Sequence, residues 1–169
     1  MQNYSKIVRR AAALKDGSVI FNGSLAHAEI LVRELFRSAD SCIKILSGDL
    51  NSRVFGSDDV VEQANLFLAD PNRKLEVLVE ECSADDRANH PFYDNFFVKK
   101  RDNVHFRRVP QDIQDSYDFH LVVADGESYR FEGDKKKHAA IAAFGDKKGA
   151  SNLDGIFDEI WELGVPVVN

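Results

Sequence analysis

The sequence predicts an α/β fold with a mixed, partly parallel central sheet flanked by helices, on three observations. Short runs rich in β-branched residues at 18–21, 41–46 and 74–79 alternate with helix-period stripes, a β-α-β-α-β order that calls for parallel strands joined by right-handed crossovers. Asp125-Gly126 stands between two further β-rich runs, and that dipeptide marks a hairpin, so part of the sheet is antiparallel. The chain has 169 residues and 44% apolar content, enough for one complete hydrophobic core. A single domain over residues 1–169 is expected, with residues 1–17 as a helical lead-in.

In order, Tyr4 to Leu14 places Ile7, Val8, Ala11 and Leu14 on one side of an amphipathic helix. Ser18 to Phe21 reads as a brief strand. Asn22-Gly23 ends it, and Ser24 can cap a helix whose stripe of Leu25, Ala28, Leu31, Val32, Leu35, Phe36 and Ala39 would lie on a sheet. Ser41 to Leu46 and Lys74 to Val79 read as central strands. Between them a helix from Asp58 to Leu68 turns Val60, Val61, Ala64, Phe67 and Leu68 inward, and Asp70-Pro71-Asn72 stops it. Glu80 to Asn89 reads as a polar loop, and Pro91 suits the first turn of a helix running to Lys100. The aromatic residues Phe92, Tyr93, Phe96 and Phe97 form that helix's buried stripe. Val104 to Val109 is a further strand. Beyond the hairpin, Asp134 to Lys137 is a charged loop, His138 to Phe144 a strand of small residues, and Ser151 a cap for a last helix to Leu163.

Charge and cysteine content narrow the function. Lys and Arg number 22 against 28 Asp and Glu, so a formal charge of -6 leaves nucleic acid only a local basic patch. Lys99, Lys100, Arg101, Arg107 and Arg108 are the residues for one. Cys42 and Cys82 sit at strand-like runs, as reduced core thiols do, which points to a reducing cytoplasm. No apolar run approaches the roughly 18 residues of a membrane span, and the N-terminus lacks a signal-peptide core, so no membrane partner is expected.

The densest polar set lies on the hairpin from Ser116 to Glu132. Phe119, Leu121 and Val123 alternate there with Asp118, His120 and Val122, so Asp118 and His120 should leave one face of the strand. Asp125 at the turn, and Arg130 and Glu132 on the returning strand, complete the group. The loop Ser47 to Arg53 follows a central strand's carboxyl end, where open α/β sheets place ligands. Nucleotide-binding glycine loops, H-E-x-x-H, paired-cysteine spacings and G-x-S-x-G are all missing from the sequence. Asp118, His120 and His138 could together hold a divalent metal, but a surface Asp-x-His pair more often hydrogen-bonds, so neither metal nor cofactor is expected.

The helix ending LFRSAD before SCIKILSGDL, the strand KLEVLVEE and the late DFHLVVADG together resemble the phospholipase D superfamily over residues 20 to 163. The resemblance implies H-x-K-x4-D followed by G-S-x-N, a nucleophilic His, and two motif copies facing each other across a twofold axis. Single-copy members of such a family would dimerise. Setting Asp125-Gly126 on the family's Asp-Gly puts Asp118 at the nucleophile's place and His120 at the Lys, and G-S-x-N falls on Glu132, Gly133, Asp134 and Lys135. Making His120 the nucleophile puts Val122 at the Lys. The expectation is a phospholipase D-like scaffold that has lost catalysis and serves as a binding or assembly module. Its expected partners are a second copy, another protein, or nucleic acid through the basic residues. The rival is a dimeric phosphodiesterase in which His120 of each subunit attacks and protonates, Arg130 clamps phosphate, and Asp118, Asp125 and Glu132 assist. A third reading makes the cluster structural, Arg130 pairing with Glu132 or Asp118.

Overall fold

The computed structural model describes residues 1–137 and 139–168. Its elements run α1 (Gln2–Leu14), β1 (Val19–Asn22), α2 (Leu25–Ser38), β2 (Cys42–Ser47), α3 (Asp58–Leu68), β3 (Lys74–Val79), α4 (Ala84–Arg87), α5 (Pro91–Tyr93), β4 (Val104–Arg108), α6 (Gln111–Gln114), β5 (His120–Ala124), β6 (Ser128–Glu132), β7 (Ala140–Phe144), α7 (Lys147–Leu163) and β8 (Val165–Pro166). The eight strands form one sheet in the order β1-β7-β6-β5-β2-β3-β4-β8. Strands β2, β3 and β4 are parallel. Every other pairing is antiparallel.

Local signals account for most of these boundaries. Ser24 caps α2, its Oγ accepting from His27 N at 3.1 Å, and Ser57 caps α3 in the same way on Val60 N at 3.3 Å. Asp58 and Asp59 add negative charge to the first turn of α3, where the helix dipole favours it. The hairpin turns as expected, with Asp125 and Gly126 both at positive φ and Glu127 N donating to Ala124 O at 3.0 Å.

Two expected boundaries move. The helix beginning at Pro91 gives way after Tyr93 to a π-helical turn, Asp94–Val98, which keeps Phe92, Tyr93 and Phe96 buried but ends short of Lys100. The last helix starts at Lys147, capped by Asp146 through Gly149 N at 3.0 Å, so Ser151 lies inside it. Gly145 permits that early start. Its φ is 84°, and any Cβ would come within 2.1 Å of Lys15 O. The short elements α4, α6 and β8 are too brief for periodicity to announce. His138, the expected first residue of β7, lies outside the described residues.

Two apolar layers sandwich the sheet. On one face α1, α2, α3 and the aromatic turn cover Ile20, Ile43, Ile45, Val77, Val79, Val122 and Ala142. On the other, α7 brings Ala150, Phe157 and Ile160 onto Leu46, Leu78, Leu121, Val123 and Ala143. Period-two alternation thus sends Val122 and Val123 to opposite cores. The same alternation sends His120, Arg130 and Glu132 to the α2 face, at the end of the sheet where β2 and β3 finish and β5 begins.

Candidate functional site

At that end lies a cavity of about 220 Å³, walled by Leu25 and Ala28 of α2, by Ser47, Gly48, Asp49, Asn51, Val54 and Phe55, and by His120, Arg130, Glu132 and Lys135. The ligand loop expected at Ser47–Arg53 therefore supplies much of one wall. It is positioned from the end of β3 and by its own serine: Glu80 N donates to Ser47 O and Gly48 O, and the Ser47 hydroxyl accepts from Leu50 N at 3.2 Å.

Arg130 is nearly buried, a state a guanidinium tolerates only with partners. Its Nε donates to Asn22 Oδ1 at 2.8 Å and its Nη2 to Glu132 Oε2 at 3.1 Å. Asn22 is two strands away on β1, a separation of about 10 Å. The intervening strand β7 presents Ala140 and Ala142 to this face, and those small side chains leave the path that the arginine occupies. Burial lowers the Arg130 pKa and the Glu132 carboxylate opposes that shift. Across the hairpin Glu132 pairs with His120.

A second carboxylate, Glu80, sits just past β3 behind His120 and Lys135. Its Oε1 accepts from Tyr117 OH at 2.8 Å, Lys135 Nζ at 2.7 Å and His120 Nε2 at 3.3 Å. Burial alone would raise the Glu80 pKa. The hydrogen bonds from His120, Lys135 and Tyr117 outweigh it and hold the value at about 2. Lys135 is further fixed by Gln114 O at 3.3 Å and by the Tyr117 ring, whose centroid is 3.9 Å from Nζ.

Several sequence expectations are redistributed. Asp118 precedes β5, is exposed, and stays outside the cavity lining; its backbone carbonyl accepts from Lys135 N at 2.9 Å. It does not share a face of a strand with His120. Asp125 lies at the far end of β5, roughly 15 Å along the strand from His120. Its carboxylate accepts from Asp40 N, Ser41 N and Oγ, and Cys42 N at 2.7–2.9 Å, so it ties the hairpin to the start of β2 rather than serving the cavity. Asp134 pairs with Lys137 and is not part of the wall. The lysine that the strand lacks arrives instead from the following loop, as Lys135.

The basic residues are not one patch. Lys99 and Lys100 are exposed, but Arg101 donates to Asn65 Oδ1 and stacks on Phe96. Arg107 points to the opposite face, donating to Trp161 O at 2.7 Å and lying 4.5 Å from the Trp161 ring. Arg108 is exposed at the far end of β4. Of the candidate metal ligands Asp118, His120 and His138, the last lies outside the described residues; among those described, no cluster of three His, Cys, Asp or Glu could hold an ion. None of the described helices is long and apolar enough to cross a membrane.

Glu80, Lys135, Tyr117 and Asn22 were not foreseen as site residues. For Glu80 the signal existed, because it follows a parallel strand just as the Ser47 loop does. For the other three, only the sheet order brings them together.

Comparison with solved structures identifies the fold. Nuc from Salmonella typhimurium, a phospholipase D family member, superposes with a TM-score of 0.62 at 12% identity, over 91% of this chain and 100% of that one. NucT from Helicobacter pylori gives 0.58 at 10% identity, over 90% and 99%. TrmBL2, an archaeal chromatin protein with a novel mode of DNA binding, gives 0.63 at 14% identity over 98% of this chain, which spans 62% of the archaeal one. The chain has a phospholipase D-like fold. By sequence it belongs to the family described as a domain of unknown function (DUF7931), whose model matches residues 24–169. A search of curated proteins finds no sequence match.

Proposed function

We propose that this protein is a non-catalytic phospholipase D-like module that binds or assembles rather than cleaves. One observation carries the reading: the arginine and the lysine that line the cavity are each already matched by a carboxylate of the chain itself. Glu132 holds Arg130, and Glu80 holds Lys135 and His120. A phosphodiester needs uncompensated positive charge at its oxygens, more so in the transition state. At an effective dielectric constant near 20, a unit charge 4 Å away is worth about 4 kcal/mol, so one adjacent carboxylate cancels what one arginine offers. Asp118, standing where the resemblance puts the nucleophile, carries a poor one and lies outside the cavity.

Assembly would use the edge of the sheet. Strand β1 stands at the edge of the sheet among the described residues, its Phe21 carbonyl taken by Tyr4 OH at 2.9 Å, and it presents Val19 and Phe21, the latter 76% exposed, on the face away from the cavity. A second copy, or another protein, is the partner that such an edge suits. The DNA binding of the archaeal chromatin protein supports nucleic acid as a further partner, but the scattered cations support it less.

The His120–Glu80 hydrogen bond favours the rival, a dimeric phosphodiesterase, because a carboxylate can orient a histidine for attack. Incubating the protein with bis(4-nitrophenyl) phosphate and with single- and double-stranded DNA, with and without divalent metals, decides between them. The expected result is no turnover above buffer for wild type and His120→Ala alike. Turnover that His120→Ala abolishes would establish the enzyme instead.

A further inference from the structure

Arg130 and Glu132 project from the same face of β6 into the cavity, and each keeps a polar atom unspent among the described residues. Arg130 uses Nε on Asn22 and Nη2 on Glu132, leaving Nη1 as a donor; Glu132 uses Oε2, leaving Oε1 as an acceptor. Both atoms belong to one ion pair that lines the cavity, and a donor and an acceptor on a pair that is neutral overall complement a molecule that offers an acceptor and a donor on one edge. Facing them are Leu25, Val54 and Phe55, an apolar wall suited to a flat ring. The volume, about 220 Å³, falls below the roughly 300–1,000 Å³ of drug-sized sites and suits one small ring system.

We infer that the cavity binds a small uncharged ring carrying a lactam or amidine edge, the hydrogen-bonding edge of a nucleobase, and discriminates against phosphate. This rests on the non-catalytic reading and supplies its ligand class. Glu132 is the discriminating residue: it completes the hydrogen-bonding edge and repels an anion that Arg130 alone would attract. The same edge could come from a free base or from a base in a single strand, since the cavity opens where the strands end.

Calorimetric titration of the intact protein with uracil, adenine, inorganic phosphate and a short single-stranded oligonucleotide tests the inference. Wild type should bind uracil or adenine saturably, with phosphate neither binding nor competing at tenfold higher concentration. Leu25→Trp, which fills the cavity from the first turn of α2, should abolish base binding while far-UV circular dichroism and the melting transition stay those of a folded protein. Glu132→Gln should shift the ratio of base to phosphate affinity toward phosphate by tenfold or more. Oligonucleotide binding that is lost in Leu25→Trp would identify the base as one in a strand; binding of the free base alone would identify a small metabolite. Failure of both bases to bind, or phosphate binding as tightly as either, would overturn the inference. Those failures without phosphodiester turnover would leave the non-catalytic reading standing, whereas turnover would remove that reading whatever binds.

Discussion

Asp125 is where residue chemistry and family resemblance part company. Burial works against its carboxylate, but bonds from Cys42, Asp40 and Ser41 outweigh that and hold its pKa below the usual range. Asp125→Ala removes four hydrogen bonds and puts a Cβ residue without a polar side chain at a φ of 56°. We expect about 2–3 kcal/mol of lost stability in denaturant titration, with Asp125→Asn losing less because Asn tolerates the left-handed region. Glu80 makes a pH-dependent contribution of the same kind. Its folded pKa of about 2 lies below the ordinary glutamate value of 4.5, so its stabilisation is complete above about 4.5 and disappears as pH falls toward 2. Discounted for solvent screening, the contribution is on the order of 2 kcal/mol. The stability gap between wild type and Glu80→Gln should therefore close between those pH values; a gap that widens on acidification would contradict the assignment.

At the scale of elements, the informative fact is that β6 reaches β1 across β7. Ala140 and Ala142 look featureless in sequence, two small residues in a short strand. Their structural consequence is the corridor for Arg130. Arg130→Met should cost about 3–5 kcal/mol, because it strands Glu132 in a nearly buried position, and Arg130→Met with Glu132→Leu should recover most of that loss. The edge strand β1 carries its own test. Phe21→Glu should convert self-associated protein to monomer in light scattering coupled to size exclusion, and a wild type already monomeric at micromolar concentration would rule out assembly through that edge. The π-helical turn after Tyr93 ends near Lys99 and Lys100, whereas Arg107 stacks under α7 on the other face. One stretch of sequence can look basic while its side chains serve two surfaces.

For the molecule as a whole, a formal charge of -6 with dispersed cations sets the expectation for nucleic acid. If duplex DNA binds at all, the slope of log affinity against log salt should be no steeper than about -2, the release expected from Lys99 and Lys100 alone. A slope of -5 or steeper in fluorescence anisotropy would mean that the separated basic groups act together in an assembly. The sandwich of two apolar layers explains why that charge need not disturb the fold: the central strands β2, β3 and β5 bury both faces, and most charges stay on helix and loop surfaces.

Hydrophobic periodicity and turn chemistry act over a few residues, and they sufficed for the parallel pair β2 and β3, the Asp125-Gly126 hairpin, the stripes of α2 and α3, and hence the fold class; they misplaced β1, which the alternating order set parallel beside β2 and which lies at the sheet's edge, antiparallel to β7. They also indicated the end of the sheet where His120, Arg130, Glu132 and the Ser47 loop gather. Which charges neutralise one another there depended on strand order, a non-local property that brings Asn22 to Arg130 across 108 positions and Glu80 to Lys135 across 55. Asp118 and Asp125 left the site for the same reason: adjacency in sequence placed them near His120, and the end of the strand and its length carried them away.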